Sequence, residues 1–261
     1  RWLALTGWAA PLRSRLASSP VAAAALKAFA GVDRRRSLPV PAPRPLRTSY
    51  ERAAGATTPD DVPGVPDVWV WADTFTDGFR PEAAAAAIRV LADAGLQARV
   101  IPDRACCGLT WTSTGQLDTA RRVLGDAVSV LAPYVASGAR VIGLEPSCLA
   151  SLRSDVEQLL DDPAAILIGR GVLTLAEVLG DVGWVPPDLG GLAVVAQPHC
   201  HHASVLGWDA DERLLRSAGA DLTVVGGCCG LAGGFGMERG HYEMSVAVAE
   251  TQLLPAVRAR P

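Results

Sequence analysis

RVLADAGLQARVIPDRACCG, residues 89–108, returns later in the chain as RLLRSAGADLTVVGGCCG, residues 213–230. Each copy reads as the end of an amphipathic helix, a glycine stop, a short apolar strand, and then two adjacent cysteines followed by glycine. Ala94 and Gly95 stand before Cys106 at much the same distance as Ala218 and Gly219 stand before Cys228. Self-similarity of this kind marks an internal duplication, so the double-cysteine motif is a built feature and not a coincidence.

The same rhythm extends outward on both sides. VWVWA (68–72) is a predicted strand, EAAAAAIRVLADAG (82–95) a helix and QARVIP (97–102) a strand leading into the first CCG. Residues 115–138 are predicted helical, ARVIGLE (139–145) is a strand, and a helix follows Cys148. In the second copy GLAVVAQ (191–197) is a strand leading to PHCHH, 209–219 a helix, DLTVVGG (221–227) a strand and 241–257 the last helix. Strands alternating with helices of this length predict an α/β fold with parallel sheets. The expected division is a helical, proline-rich arm over 1–62, a first unit over 63–188 and a second over 189–261. Breaker runs at 37–47 and 57–67 close the arm.

Bulk properties set wide limits. At 261 residues, 49% hydrophobic and 20% charged, the chain has the composition of a soluble globular protein. Residues 1–50 hold nine basic residues against one acidic, leaving fifteen basic and twenty-six acidic in the rest. Such asymmetry fits a basic arm lying on an acidic body or partner, or facing an anionic membrane surface; a solvated linker gives the same balance. An acidic body without interleaved aromatic and basic residues excludes a nucleic-acid partner. No apolar run reaches the ~18 residues of a membrane span. The start on Arg1 gives the expectation that the chain is a piece of a longer protein, and the expected location is cytoplasmic or peripheral on the inner face of the cell membrane.

Chemistry rests on six cysteines, Cys106, Cys107, Cys148, Cys200, Cys228 and Cys229. Neighbouring cysteines bridge each other only with strain, since disulfides want Cα atoms about 4.4–6.8 Å apart. Metal or redox chemistry is therefore preferred over a disulfide framework. Each pair follows a predicted strand and precedes a helix, where open parallel sheets bind ligands. A helix N-terminus at that point is expected to lower a thiol's pKa. The glycines of GGCCGLAGGFG (226–236) permit unusual φ and close backbone approach, so both sulfurs can turn toward one inorganic centre. Zinc sites favour C-x2–4-C pairs, which this chain lacks. An iron–sulfur cluster needs four thiolates, and six are present. A metal-free reactive dithiol is the third chemistry open to them.

These motifs resemble the cysteine-rich CCG domain, here duplicated. That module occurs in the B subunit of heterodisulfide reductase and in the iron–sulfur subunits of glycolate oxidase, anaerobic glycerol-3-phosphate dehydrogenase and lactate-utilisation complexes. The strings WADTFTDGF, LEPSCLASLR, HCHHASVLG and GCCGLAGGFG are similar to the C-terminal part of FAD-linked oxidases of the D-lactate dehydrogenase or glycolate oxidase type. The family pattern runs Cys, CCG, CxxC. Thr74 stands where the first unit would have its leading Cys, and Glu145 takes the first position of the closing pair completed by Cys148. The second unit keeps Cys200, Cys228 and Cys229 and lacks a closing CxxC.

The resemblance implies two pseudo-repeated Rossmann-like units and a [4Fe-4S] cluster, one or two in number. Cys200, Cys228 and Cys229 are the implied ligands, with Cys148, Cys106 or Cys107 supplying the fourth. Gly108, Gly230 and His201 are implied around the cofactor, His201 as ligand or proton donor. No catalytic residue is assigned. Upstream flavin (FAD) and ferredoxin-like domains with further clusters are the implied partners, passing electrons from a 2-hydroxy acid to a quinone or other acceptor. A zinc-bound or metal-free docking module and a thiol–disulfide reductase are the alternatives.

Other candidates are weaker. Glu145 is read as a helix cap in preference to an oxygen ligand, and Asp73, Asp77 and Glu82 as loop and cap residues. His241 is expected to cap or pack, and one of His199, His201 and His202 to bond a carboxylate or a cluster sulfur. GGFGMERG (233–240) misses a dinucleotide fingerprint, because Arg239 stands at the third glycine. Trp69, Trp71 and Trp111 are core by default. Arg34, Arg35 and Arg36 either dock a flavin module or stay solvated.

Overall fold

The structure, a computed structural model, describes residues 19–49 and 65–260. The N-terminal part of the arm, and most of the breaker run 57–67, lie outside the described residues. The chain divides into two compact units: a larger one of Arg44–Val185 with His201–Leu214, and a smaller one of Arg1–Pro43, Pro186–Cys200 and Leu215–Pro261. The fold is α/β with parallel sheets, as the alternation predicts.

In chain order, the arm contributes α1 (Pro20–Phe29). The larger unit then runs β1 (Val68–Trp71), α2 (Thr74–Gly78), α3 (Pro81–Asp93), β2 (Ala98–Val100), α4 (Leu109–Ser113), α5 (Leu117–Ala136) and β3 (Arg140–Gly143). It continues through α6 (Pro146–Ala150), a π-helical turn (Ser151–Asp155), α7 (Val156–Leu159), α8 (Pro163–Gly171), β4 (Val172–Leu173) and α9 (Leu175–Asp181). After these come β5 (Ala193–Ala196), a second π-helical turn (His202–Leu206), α10 (Asp209–Ser217), β6 (Asp221–Val224), α11 (Tyr242–Ala249) and α12 (Leu253–Arg258). Among the described residues no helix is long and apolar enough to cross a membrane.

The larger sheet has the order β2-β1-β3-β4, all parallel. Every residue of β1 is buried, which is why VWVW is a continuous apolar run and not an alternating one. The strands still sort their side chains by parity. Trp69, Trp71 and Val141 face one cluster with Leu124, Leu131, Leu149, Val156 and Ile168. Val68, Val70, Ala72 and Ile142 face the other, with Leu91, Val178 and Leu179. Helices α5 and α8 thus cover one face and α3 and α9 the opposite one. The buried stripe of α5, Ala120, Leu124, Ala127, Val128, Leu131 and Tyr134, keeps the spacing that a helix needs to present one side to a sheet.

Local signals start and stop these helices. Pro81 opens α3 at a first-turn position, where its missing N–H costs nothing. Thr174 and Glu177 form a reciprocal capping box at α9, and Glu177 also takes both terminal nitrogens of Arg153. Thr174→Ala is expected to cost about 1 kcal/mol in a urea melt, while Ser129→Ala, on an exposed helix face, changes the midpoint negligibly. The smaller unit's sheet is the parallel pair β5–β6, in register from Ala193↔Asp221 to Ala196↔Val224.

Candidate sulfur site

In the larger sheet the strand order reverses between β1 and β3, and ligands of doubly wound sheets bind outside the carboxyl ends at that point. The chain puts its unusual residues there. Asp73, directly after β1, caps α2 by accepting from the N–H groups of Phe75 (2.7 Å) and Thr76 (3.1 Å) and from the Thr76 hydroxyl. Glu145, leaving β3, caps α6 by accepting from the N–H of Cys148 at 2.6 Å. Both carboxyls therefore play the capping role expected from the sequence.

The loop after β2 carries the first CCG. Trp71 Nε1 donates to Ala105 O at 3.3 Å, and Tyr134 Oη donates to Asp103 Oδ2 at 2.6 Å, so the loop is held where it leaves the sheet. Gly108, at φ +72°, turns the chain into α4, and a Cβ there would stand 3.1 Å from Leu124 Cγ. Cys107 Sγ lies 3.0 Å from Cys148 Sγ, and Ser151 Oγ donates to Cys107 O at 3.0 Å. Cys107 and Cys148 are buried; Cys106 is exposed, with its thiol in contact with Cys107. The three sulfurs form a row from the surface to the core.

The acidification expected from a helix N-terminus does not occur here. The contact with Cys107, followed by burial, holds the Cys106 thiol well above the ordinary range. Cys107 is pulled down by Cys106, but contact with Cys148 and burial outweigh this and raise it. For Cys148 the Cys107 contact lowers the pKa, while burial and the nearby carboxyls of Glu145 and Asp73 raise it overall. Asp73 is itself raised, chiefly by burial. Contact between the thiols and burial, with the Glu145 and Asp73 carboxyls added at Cys148, thus disfavour the thiolate forms.

The smaller unit places the second set of cysteines on paired loops. Because Ala196 and Val224 are register partners, Cys200 and Cys228 each follow four residues beyond the last pair. Gln197 Nε2 donates to Gly227 O at 3.1 Å and ties the two loops together. Gly230, at φ +83°, donates its N–H to Cys228 Sγ at 3.3 Å. A Cβ on Gly230 would fall 2.1 Å from Ser245 O, so the loop lies directly on α11. This answers the need for bare backbone around the cysteines. Cys200 and Cys228 are exposed and Cys229 half-buried.

Arg35 and Arg36 make contacts within the smaller unit, Arg35 remaining exposed and Arg36 half-buried. Both lie over the Tyr242 ring, 3.8 and 4.8 Å from its centroid. Arg36 Nε donates to Gly236 O at 2.8 Å and its Nη2 to Ser245 Oγ at 2.5 Å, which clamps the end of the CCG loop to α11. Sequence reading misses this clamp, because a run of three arginines carries no mark of its partner.

His202 bonds a carboxylate, its Nε2 lying 3.1 Å from Asp211 Oδ2, and its ring meets Trp208 edge-on; His241 Nδ1 likewise lies 3.3 Å from Glu238 Oε2. His201 is half-buried and His199 exposed. His241 stacks on Phe235 at 3.9 Å. Among the described residues no three His, Cys, Asp or Glu side chains stand together as a group able to hold a metal ion.

Comparison with known proteins finds a similarity over part of the chain. Residues 73–153 match the cysteine-rich domain CCG. The match runs from the α2 cap to the π-helical turn after Cys148, and so takes in Cys106, Cys107, Gly108 and Cys148. The chain is also 26% identical, over 186 residues, to the C subunit of anaerobic glycerol-3-phosphate dehydrogenase from Escherichia coli strain K12 and from Escherichia coli O157:H7. The aligned part is 67% of this chain and 46% of each relative, so the chain spans just under half the length of these relatives.

The two cysteine sets differ in their surroundings. In the smaller unit the cysteines lie on paired loops, with a backbone N–H on the Cys228 sulfur and close-packed glycine behind the loop, which is donor chemistry of the kind an iron–sulfur group uses. In the larger unit the carboxyls of Asp73 and Glu145 act on Cys148 from beside it, and the Cys107 and Cys148 sulfurs touch one another.

Proposed function

We propose that the chain is an iron–sulfur electron-transfer module of an oxidoreductase, with Cys200, Cys228 and Cys229 as three of the thiolate ligands of one [4Fe-4S] cluster. The observation that carries the reading is the in-register β5–β6 pair, which delivers Cys200 and Cys228 to adjacent loops, with the Gly230 N–H already on the Cys228 sulfur. The CCG match and the likeness to a dehydrogenase subunit support it. A bound cluster supplies one-electron transfer. The chain's own residues set its environment: Gly230 donates to sulfur, Gln197 fixes the loop spacing, and Arg36 keeps the loop pressed on α11.

In this reading the electrons originate at a CH–OH carbon, which loses two electrons and two protons on becoming a carbonyl. The substrate class is a 2-hydroxy acid of the D-lactate or glycolate type, oxidised at FAD in a partner domain that also carries ferredoxin-like clusters. A quinone or another acceptor takes the electrons. Glycerol 3-phosphate, named by the relatives, presents the same kind of carbon.

The test is metal analysis of protein purified or reconstituted without oxygen, with EPR after reduction. The expected result is about four irons and four sulfides per chain and a signal lost in Cys228→Ser and in Cys229→Ser. Zinc in place of iron, or six free thiols and no metal, would overturn the reading.

A further inference from the structure

We infer that Cys107 and Cys148 of the larger unit form a redox-active dithiol that closes to a disulfide, with Cys106 as its surface exchange thiol. The inference is independent of the cluster on the smaller unit and concerns sulfurs to which the proposed function gives no role.

Geometry is the first argument. The two Sγ atoms are 3.0 Å apart, and a disulfide needs about 2.05 Å, so closure requires an approach of roughly 1 Å. Both residues sit on supports that limit other motions. Cys148 is fixed in the first turn of α6 through its N–H on Glu145, and the Cys107 carbonyl is held by Ser151. Trp71 and Leu149 belong to the same buried cluster as the two cysteines.

Charge is the second. The thiols stand in a buried place beside the Asp73 and Glu145 carboxyls, where a thiolate is disfavoured. A disulfide removes both ionisable thiols from that place and carries no charge.

Access is the third. Neither Cys107 nor Cys148 reaches solvent to any useful extent, at 5% and 7% exposure, but exposed Cys106 touches Cys107. The oxidant is a low-molecular-weight disulfide, RSSR. The Cys106 thiol attacks it and passes its proton to the RS⁻ released, giving a mixed disulfide and one RSH. Cys107 displaces the second RS⁻ from Cys106, and the strained adjacent-cysteine bond so formed passes to Cys148, which attacks Cys107 and frees Cys106. One S–S bond breaks and one forms. The dithiol loses two electrons and two protons, and RSSR becomes two RSH.

The experiment equilibrates the full chain, without oxygen, in mixtures of oxidised and reduced glutathione, then quenches with acid, alkylates and maps peptides by mass. The expected product is a Cys107–Cys148 crosslink with Cys106 alkylated, interconverting with the dithiol as the ratio is varied. Cys106→Ser is expected to slow the approach to equilibrium at least tenfold without moving the midpoint ratio. Cys107→Ser and Cys107→Ala, checked by circular dichroism for native folding, should abolish the crosslink and leave iron and sulfide content unchanged. Absence of the crosslink at every ratio, or a folded Cys107→Ser protein that loses its iron, overturns the inference; the latter leaves the electron-transfer reading standing. A wild-type chain that forms the crosslink but holds no iron upholds the inference and sinks the proposed function instead.

Discussion

Gly230→Ala is expected to destabilise the smaller unit by about 4 kcal/mol or more, a magnitude seen only where a named structural fault is introduced. Two costs combine. The residue sits at φ +83°, a conformation that strains an L side chain by about 1–2 kcal/mol. In addition, the new Cβ would lie 2.1 Å from Ser245 O and 2.9 Å from Ser245 C, both backbone atoms of α11 that cannot rotate away. The loop must lift from the helix, which pulls Gly236 from the Arg36 guanidinium and displaces the N–H now on Cys228. Gly233→Ala is the control. Gly233 has φ +66°, but an added Cβ would meet nothing within 4 Å, so only the conformational strain applies, about 1 kcal/mol. Denaturant melts of the two variants side by side check the claim. Equal losses would mean that the packing on α11 is unimportant.

Arg47→Met carries the second largest expected effect, a loss of about 3–5 kcal/mol. Arg47 and Asp77 are a buried ion pair, with Nη1 to Oδ2 at 3.1 Å and side-chain exposures of 6% and 10%. The Arg47 N–H also donates to Asp77 Oδ1 at 3.0 Å. Its Nη2 donates to Ala72 O at 2.5 Å and to Asp103 O at 3.2 Å, which joins the exits of β1 and β2 at the edge where the sulfurs lie. Removing the guanidinium leaves Asp77 buried without its counter-charge and two carbonyls without a donor. The double variant Arg47→Met/Asp77→Asn keeps an acceptor for the backbone N–H and removes the stranded charge, so it should recover at least half of the loss. Arg47→Lys should recover less than the double variant, because an ammonium cannot span the same three acceptors. Urea midpoints for the three proteins decide the order.

The parts of this fold that are legible in the sequence are those whose burial is complete. VWVW is apolar throughout because β1 is covered on both faces, and the buried Val141, Ile142 and Gly143 of β3 follow the same logic. The strand β4 leaves no such mark, because Val172 and Leu173 continue directly from α8 and are too few to show a period. The final helix reads as continuous in the sequence, yet it breaks between Ala249 and Leu253. Pro255 lacks the N–H to continue the ladder and its ring conflicts with the preceding turn, so the signal for a break is there and outweighs the apolar pattern around it.

At the site, the positions of all six cysteines beyond strand ends are readable from spacing. Which sulfurs meet is not, because the contact of Cys107 with Cys148 depends on β2 and β3 flanking β1 on opposite sides. The direction of the thiol shifts is also hidden, since it depends on burial among Asp73, Glu145 and the core. Glu145 and Asp73 as caps can be read from their places before predicted helices, whereas Arg47 and Ser151 give no comparable sign.

The order β2-β1-β3-β4 also governs when the site can come into being. Central β1 pairs first with β2, whose residues follow within one crossover, but its other edge waits for Arg140–Gly143. Contacts so distant in sequence form slowly, because the closure entropy is lost before the pairing compensates it. A chain emerging from the ribosome therefore exposes Cys106 and Cys107 well before Cys148 has a place to go. During that interval the first two thiols are open to any oxidant or metal present, and only the docking of β3 carries Cys107 and Cys148 into the core together.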